Sequence, residues 1–201
     1  MRRTLLVLAL LTAMLIAPIV VRAQQGAELR GYTADARAAR IAALREQYSI
    51  VLTSGERQLV VGRCRAAQGS LQTISSDLSA IVNKRDGIYS DAITSLIQLK
   101  YRLTVQQIDT SNLDLLIVDY QQKKAVFDSM AEDYAISLED AETVDCRQSP
   151  EDFRAAIEGV RAARKPVIDA AAQISDLTKS NLKTTFDALS LRLQTGGISG
   201  K

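Results

Sequence analysis

The stretch LDLLIVDYQQKKAVFDSMAEDYAISLEDA, Leu113 to Ala141, decides how this chain folds. Leu113, Ile117, Tyr120, Phe127, Ala131, Tyr134, Leu138 and Ala141 follow at helical steps of four and three, and Lys124 fills the one charged place in the seam. A period of 3.5 residues held this long predicts a helix laid lengthwise against other helices. A half-buried strand would alternate every second residue instead. Ahead of the seam, Thr110, Ser111 and Asn112 offer capping oxygens to the first free amides. Behind it, Thr143 and Val144 suit an extended exit.

That exit leads into VDCRQSPEDF, Val144 to Phe153, which opens a second helix. Ser149 stands at the N-cap, Pro150 takes the first helical place where its missing donor costs nothing, and Glu151 and Asp152 set negative charge on the positive helix end. Phe153, Ile157, Val160, Val167, Ala171 and Ile174 supply its apolar stripe, continued by Leu182, Phe186, Leu189 and Leu193. Arg164 interrupts the stripe, and its phase slips near Thr178 to Asn181. Gly196-Gly197 ends the helix, leaving 196–201 as a loose tail.

Upstream, Leu71, Ile74, Leu78, Ile81, Ile88, Ala92, Leu96, Leu99 and Leu103 keep a helical period. They predict one long helix ending near Gln107, bent at Gly87, or else a pair split there. Thr53 and Glu56 form a capping box around Gly55, so a separate helix from Ala34 to about Leu52 precedes it, with Ile41, Leu44, Tyr48 and Val51 on one face.

The first residues have another character. Arg2 and Arg3, an apolar run from Leu5 to Ala17, Pro18, and Val21-Arg22-Ala23 before Gln24 predict a secretory signal cleaved after Ala23. The alternative is an uncleaved anchor, at the short limit for spanning a bilayer. Either puts the body of the chain outside the cytoplasm, as a periplasmic, secreted or surface protein. Removing 23 of 201 residues leaves 178, enough for one domain with a real core. It also removes three arginines and no acids, taking the net charge from +2 to −1. The mature chain therefore gives no general argument for nucleic acid as partner.

Two cysteines in an exported chain predict one disulfide, Cys64 to Cys146. The geometry agrees. At about 1.5 Å per helical residue and about 3.3 Å per extended one, the routes back from the turn near Thr110 to Cys64 and on to Cys146 end roughly 6 Å apart. The bond closes a loop of about 83 residues, worth on the order of 4.5 kcal/mol as an upper figure. A redox-active pair normally sits close in sequence, as in C-x-x-C; these do not.

Charge is banded. Residues 109–152 hold twelve acids against Lys123, Lys124 and Arg147, while residues 24–108 and 153–201 are each net +4. An acidic middle helix thus lies between two basic ones.

Several chemistries are excluded by composition. There is no histidine, which removes Ser-His-Asp and Cys-His catalysis, the usual zinc and haem sites, and a histidine pH switch. No Walker-type or dinucleotide-binding glycine motif occurs. The acids Asp128, Glu132, Asp133, Glu139, Asp140, Glu142 and Asp145 lack the glycine turn and alternation of a calcium loop and read as a solvated helix face. Tyr89, Tyr101, Tyr120 and Tyr134 read as packing residues. Arg30, Arg37, Arg40 and Arg45 make a basic helix, surface-exposed or in contact with anionic lipid or envelope polymer.

Around RCRAAQ (Arg63 to Gln68) and VDCRQSPEDF the chain resembles uncharacterised exported all-helical proteins of small-genome candidate-phylum bacteria. In these a cysteine opens a long helix, and a C-x3-P-x2-F segment, here Cys146, Pro150 and Phe153, opens the last. The likeness spans about Arg57 to Leu193 and implies export and helical architecture.

The expectation is an all-α, elongated antiparallel three-helix bundle, coiled-coil-like, over residues 57–195. A signal peptide (1–23) and a partly flexible N-terminal helical segment (24–56) precede it, and a tail (196–201) follows. No catalytic, metal or cofactor-binding residue is expected; Cys64 and Cys146 are the only site residues. The expected function is non-enzymatic: an envelope or surface scaffold and protein-binding module, with no nucleic acid partner. A periplasmic holdase-type chaperone and membrane-surface binding through residues 34–52 are the alternatives. The sequence names neither the protein or envelope partner nor the oligomeric state.

Overall fold

A computed structural model describes residues 33–196, side chains through 194. The expected signal peptide, Arg30 and the 197–201 tail lie outside the described residues. Five α-helices appear: α1 (Ala34–Gln47), α2 (Ser54–Val105), α3 (Ser111–Thr143), α4 (Pro150–Asp176) and, after a π-helical segment (Leu177–Leu182), α5 (Lys183–Gly196). Among the described residues there is no strand. The chain falls into two compact units, residues 1–40 and 41–201. Of the first, the described part is Thr33 and the opening half of α1, where the Thr33 hydroxyl accepts a hydrogen bond from the Ala36 amide.

The second unit is a helical bundle. α3 packs against both α2 and α4, which meet each other sparingly. Along α3 the expected seam is buried at Leu113, Ile117, Tyr120, Phe127, Ala131, Tyr134, Leu138 and Ala141. Leu116 and Asp140 join it, which widens the covered strip beyond two positions per heptad. Lys124 is the charged member of the seam, with its ammonium donating to Asp128 one turn on and pairing with Asp86 of α2. Burial acts to lower its pKa, but the bonds to Asp128 and Asp86 outweigh that and raise it.

α2 corrects the expected stripe. It runs unbroken through Gly87, so the split-helix alternative falls. Its main covered line is Cys64, Gln68, Leu71, Ser75, Leu78, Val82, Arg85, Tyr89, Ala92, Leu96, Leu99 and Leu103, again alternating four and three, with Val60, Ala67 and Ile93 among the part-covered places beside it. Ile74, Ile81 and Ile88, assigned to the stripe from their hydrophobicity, lie beside it and are exposed. Polar residues take seam places because they find partners there. Arg85 donates to the Tyr89 hydroxyl at 3.2 Å, and Gln68 donates to the Val144 carbonyl at 3.2 Å. Tyr89 in turn stands edge-on to Tyr120 and Phe127, with ring centroids 6.3 and 5.4 Å away. Tyr101, also expected near the core, is 71% exposed.

The helix ends follow capping chemistry, with two corrections. Thr53 and Glu56 form the expected box: the Glu56 amide donates to the Thr53 hydroxyl, and the Thr53 amide donates to the Glu56 carboxylate at 2.8 Å. The Thr53 hydroxyl, which donates to the same carboxylate at 2.7 Å, and then the Thr53 amide hold the Glu56 carboxyl below its ordinary pKa. At α3 the oxygen comes from Asp109 instead of Thr110, Ser111 or Asn112. Its carboxylate accepts from the Ser111 hydroxyl at 2.6 Å and amide at 3.0 Å, and from Arg192 at 2.6 Å. At α4, Ser149 is the N-cap residue but its side chain makes no capping bond; the Asp145 carboxylate takes the amides of Arg147 and Gln148. α1 and α2 close in Schellman turns on non-glycine residues. Ser49 (φ 50°) and Gln107 (φ 58°) take the left-handed place, with Ile50 and Ile108 amides reaching back to the Arg45 and Leu103 carbonyls.

In the last third, the phase slip expected near Thr178 to Asn181 is where the π-helical segment sits. One extra residue per turn resets the apolar stripe, so that Ile174, Leu177 and Leu189 are all buried. Phe186 and Leu193, expected in the stripe, are 41% and 49% exposed.

Two outcomes follow from these ends. Gln107→Gly is expected to stabilise the protein by about 0.5–1 kcal/mol, read in denaturant melts, since glycine carries no Cβ into the left-handed turn. Asp109 has its carboxyl lowered to about 2 by the Ser111 and Arg192 bonds. A depressed carboxyl contributes stability above its unfolded pKa and loses it as pH falls through the folded one. The difference in melting temperature between wild type and Asp109→Asn is therefore expected to be constant above about pH 5 and to shrink between about pH 4 and 2.

Candidate interaction surface

At the end of the bundle where α2 and α4 begin, short-range chemistry gathers several segments. Cys64, one-fifth of the way along α2, and Cys146, in the turn before α4, lie at disulfide distance with Cα atoms 5.6 Å apart. Both are buried, at 4% and 0% exposure. Val144, extended as expected, brings its carbonyl to Gln68 one turn beyond Cys64. Across the same end Arg57 pairs with Glu151, and Arg45 with Asp152 at 3.3 Å. The two acids at the start of α4 thus meet bases from α2 and α1, besides facing the positive end of their own helix. Each exposed pair contributes little alone.

Glycine sets the approach of α1. A Cβ at Gly159 would stand 2.8 Å from Leu44 Cδ1, so a larger residue at that place on α4 would push the end of the leucine side chain aside. Ile41 is buried in the core beside it.

Two adjoining open hollows result. One, of about 330 Å³, is lined by Ser49 to Leu52 with Glu56, Leu59, Val60 and Arg154. The other, of about 340 Å³, shares Leu59, Val60 and Arg154 and adds Arg63, Ala67, Phe153, Ile157 and Arg161. The second is the more apolar, with Leu59 61% exposed among Val60, Ala67, Phe153 and Ile157 and three arginines around them; the first is the more polar, with Ser49, Glu56 and Arg154 beside an exposed Val51. Arg154 and Arg161 share Glu158, at 2.9 and 2.8 Å. Such an apolar trough edged by guanidinium groups can hold an extended apolar segment that carries acids. A third hollow, about 580 Å³, lies between α3 and α5 around Leu115, Val118, Gln122, Thr184 and Ala188.

The acids singled out in the sequence do not converge. Asp128 serves Lys124, Asp145 holds the turn, Asp140 is buried, and Glu132, Asp133 and Glu139 are exposed. Among the described residues no three His, Cys, Asp or Glu side chains are placed to hold a metal ion. The charge bands meet at Lys100 and Asp114 (2.5 Å) and at Arg192 and Asp109, but Lys124 with Asp86 pairs in the opposite sense. Sequence reasoning found the cysteine clasp but missed the hollows. Leu59, Arg154 and Arg161 each look like ordinary surface positions until the helices are assembled.

No helix among the described residues is long and apolar enough to cross a membrane. No protein-family model matches the chain, and neither curated proteins nor solved structures show a similarity to it.

The clasp gives a direct expectation for stability. Cys64→Ser with Cys146→Ser removes the constraint on a span of 82 residues. The melting temperature is expected to drop by roughly 10 °C, as is that of wild type in excess dithiothreitol, with helical circular dichroism kept at 20 °C.

Proposed function

We propose that this is a non-enzymatic exported protein of the cell envelope or surface. It is an antiparallel bundle of three long helices, stapled by the Cys64–Cys146 disulfide, and it acts as a scaffold that binds a partner protein at its clasped end. The observation that carries this is the arginine-edged apolar trough, floored by Leu59, Val60 and Phe153. Its occupant is an extended apolar segment of the partner with Asp or Glu at its flanks, matching Arg63, Arg154 and Arg161. The disulfide-distance cysteines support an oxidising compartment. The contact pairs 100/114, 89/120, 86/124 and 64/146 support the antiparallel course, since one number rises as the other falls.

A holdase is the second reading, favoured by apolar side chains left exposed on several helices, among them Ile88, Leu115 and Ile168. Membrane-surface binding through residues 34–52 ranks lower. Ile41 and Leu44, half of the face it would use, are engaged with the bundle.

The test is photo-crosslinking in the native cell with a probe at Leu59, and the same probe at exposed Gln98 as control. A single protein adduct at Leu59, lost when Arg63 and Arg161 are both changed to Glu, is the expected result. Adducts to many unrelated proteins, with dye binding by the folded protein, would put the holdase in its place. Adducts insensitive to the arginines, or none, would remove the trough as a docking site.

A further inference from the structure

We propose that α2 carries a self-complementary face through which two copies of this chain associate side by side in antiparallel orientation. This inference is independent of what occupies the clasped end.

The face begins where α2 loses its cover. Val60 and Ala67, seven residues apart, are partly buried against the core. The next places on that line are Ile74, Ile81 and Ile88, exposed by 41%, 52% and 54%. Three β-branched side chains at heptad spacing supply one of the two lines of a coiled-coil seam, and the places three residues on are Asp77, Lys84 and Asp91. Immediately before each in the sequence stands a small residue, Thr73, Ala80 or Gly87, all exposed, with the line of Asp77 and Lys84 running between the two sets. A Cβ at Gly87 would meet no atom within 4 Å, so nothing in the described chain occupies that place.

Charge fixes how a second copy would lie. Asp77 and Lys84 sit on the same face, and neither has an ion-pair partner among the described residues. Place a twofold axis between residues 80 and 81, so that positions adding up to 161 stand opposite. Asp77 then faces Lys84 of the second copy, and Lys84 faces Asp77. In the same register Ile74, Ile81 and Ile88 run alongside Ile88, Ile81 and Ile74 of the second copy on one edge of the contact, and Thr73, Ala80 and Gly87 line the other edge, where small side chains let the helices approach. One register therefore satisfies both shape and charge. A parallel pairing would put Asp77 on Asp77, Lys84 on Lys84 and Asp91 on Asp91, which like-charge repulsion disfavours. The surface is short, so the association belongs to the weak class, with dissociation constants of about 1–100 μM.

Sedimentation equilibrium of the purified full chain from about 1 to 500 μM tests it, with thermal melts confirming that each variant folds. Wild type is expected to form dimers. Asp77→Lys and Lys84→Asp are each expected to weaken dimerisation about tenfold, since two attractive pairs become repulsive, and the double exchange is expected to restore it. Ile81→Asp should leave only monomer, while Ile97→Asp, off the face, should not. A wild type monomeric at 500 μM overturns the proposal. So do single exchanges that behave as wild type, or a double exchange that fails to recover.

Discussion

Burial in the described bundle depends on α3 presenting apolar surface broad enough to serve α2 along one flank and α4 along another, because the outer helices find little contact with each other. Leu113, Phe127, Leu138 and Ala141 are almost wholly enclosed, and adjacent pairs such as Leu116 and Ile117 widen the strip so that both neighbours are reached. A helix with only two apolar places per heptad could cover one partner. The arrangement has a corollary for the outer helices. Each buries the face it turns to α3 and leaves apolar flanks outside, as at Ile81 on α2 and Ile168 on α4.

The clasped end answers a different difficulty. A sparse α2–α4 contact leaves the start of each helix held mainly through α3, and chain ends fray first. There the molecule concentrates covalent and polar ties: the cysteine pair, the Gln68 bond to Val144, and the pairs made by Glu151 and Asp152.

How far the sequence was legible depended on whether a feature is local to one helix. The α3 seam could be read because its partners' demands coincide with hydrophobicity: every expected place is covered, Lys124 included. The cysteine pairing could be reached by adding rises along rods. The α2 seam misled because Arg85 and Gln68 are polar and hold seam places through bonds to Tyr89 and Val144, which no single-helix pattern shows. Hydrophobicity then pointed to Ile74, Ile81 and Ile88 instead. The Schellman turns at Ser49 and Gln107 lacked the glycine that marks such ends, the capping oxygen of α3 came from Asp109, outside the expected places, and the expected Ser149 side chain makes no capping bond at α4. Hollows lined from three segments had no signal in any one of them. Pro166, exposed inside α4, gave no break at all.

Lys124 has a consequence for how the helices find each other. A continuous run of four-three spacing along both α2 and α3 is nearly periodic, and sliding one helix past the other by a heptad, about 10 Å, would still juxtapose apolar side chains. The ammonium removes that degeneracy. Only one alignment sets it against Asp86; a displaced one keeps the Asp128 pair, which lies within α3, but gives up the pair that crosses to α2. One lysine thus acts as a detent, tilting a ladder of near-equivalent axial alignments towards one of them.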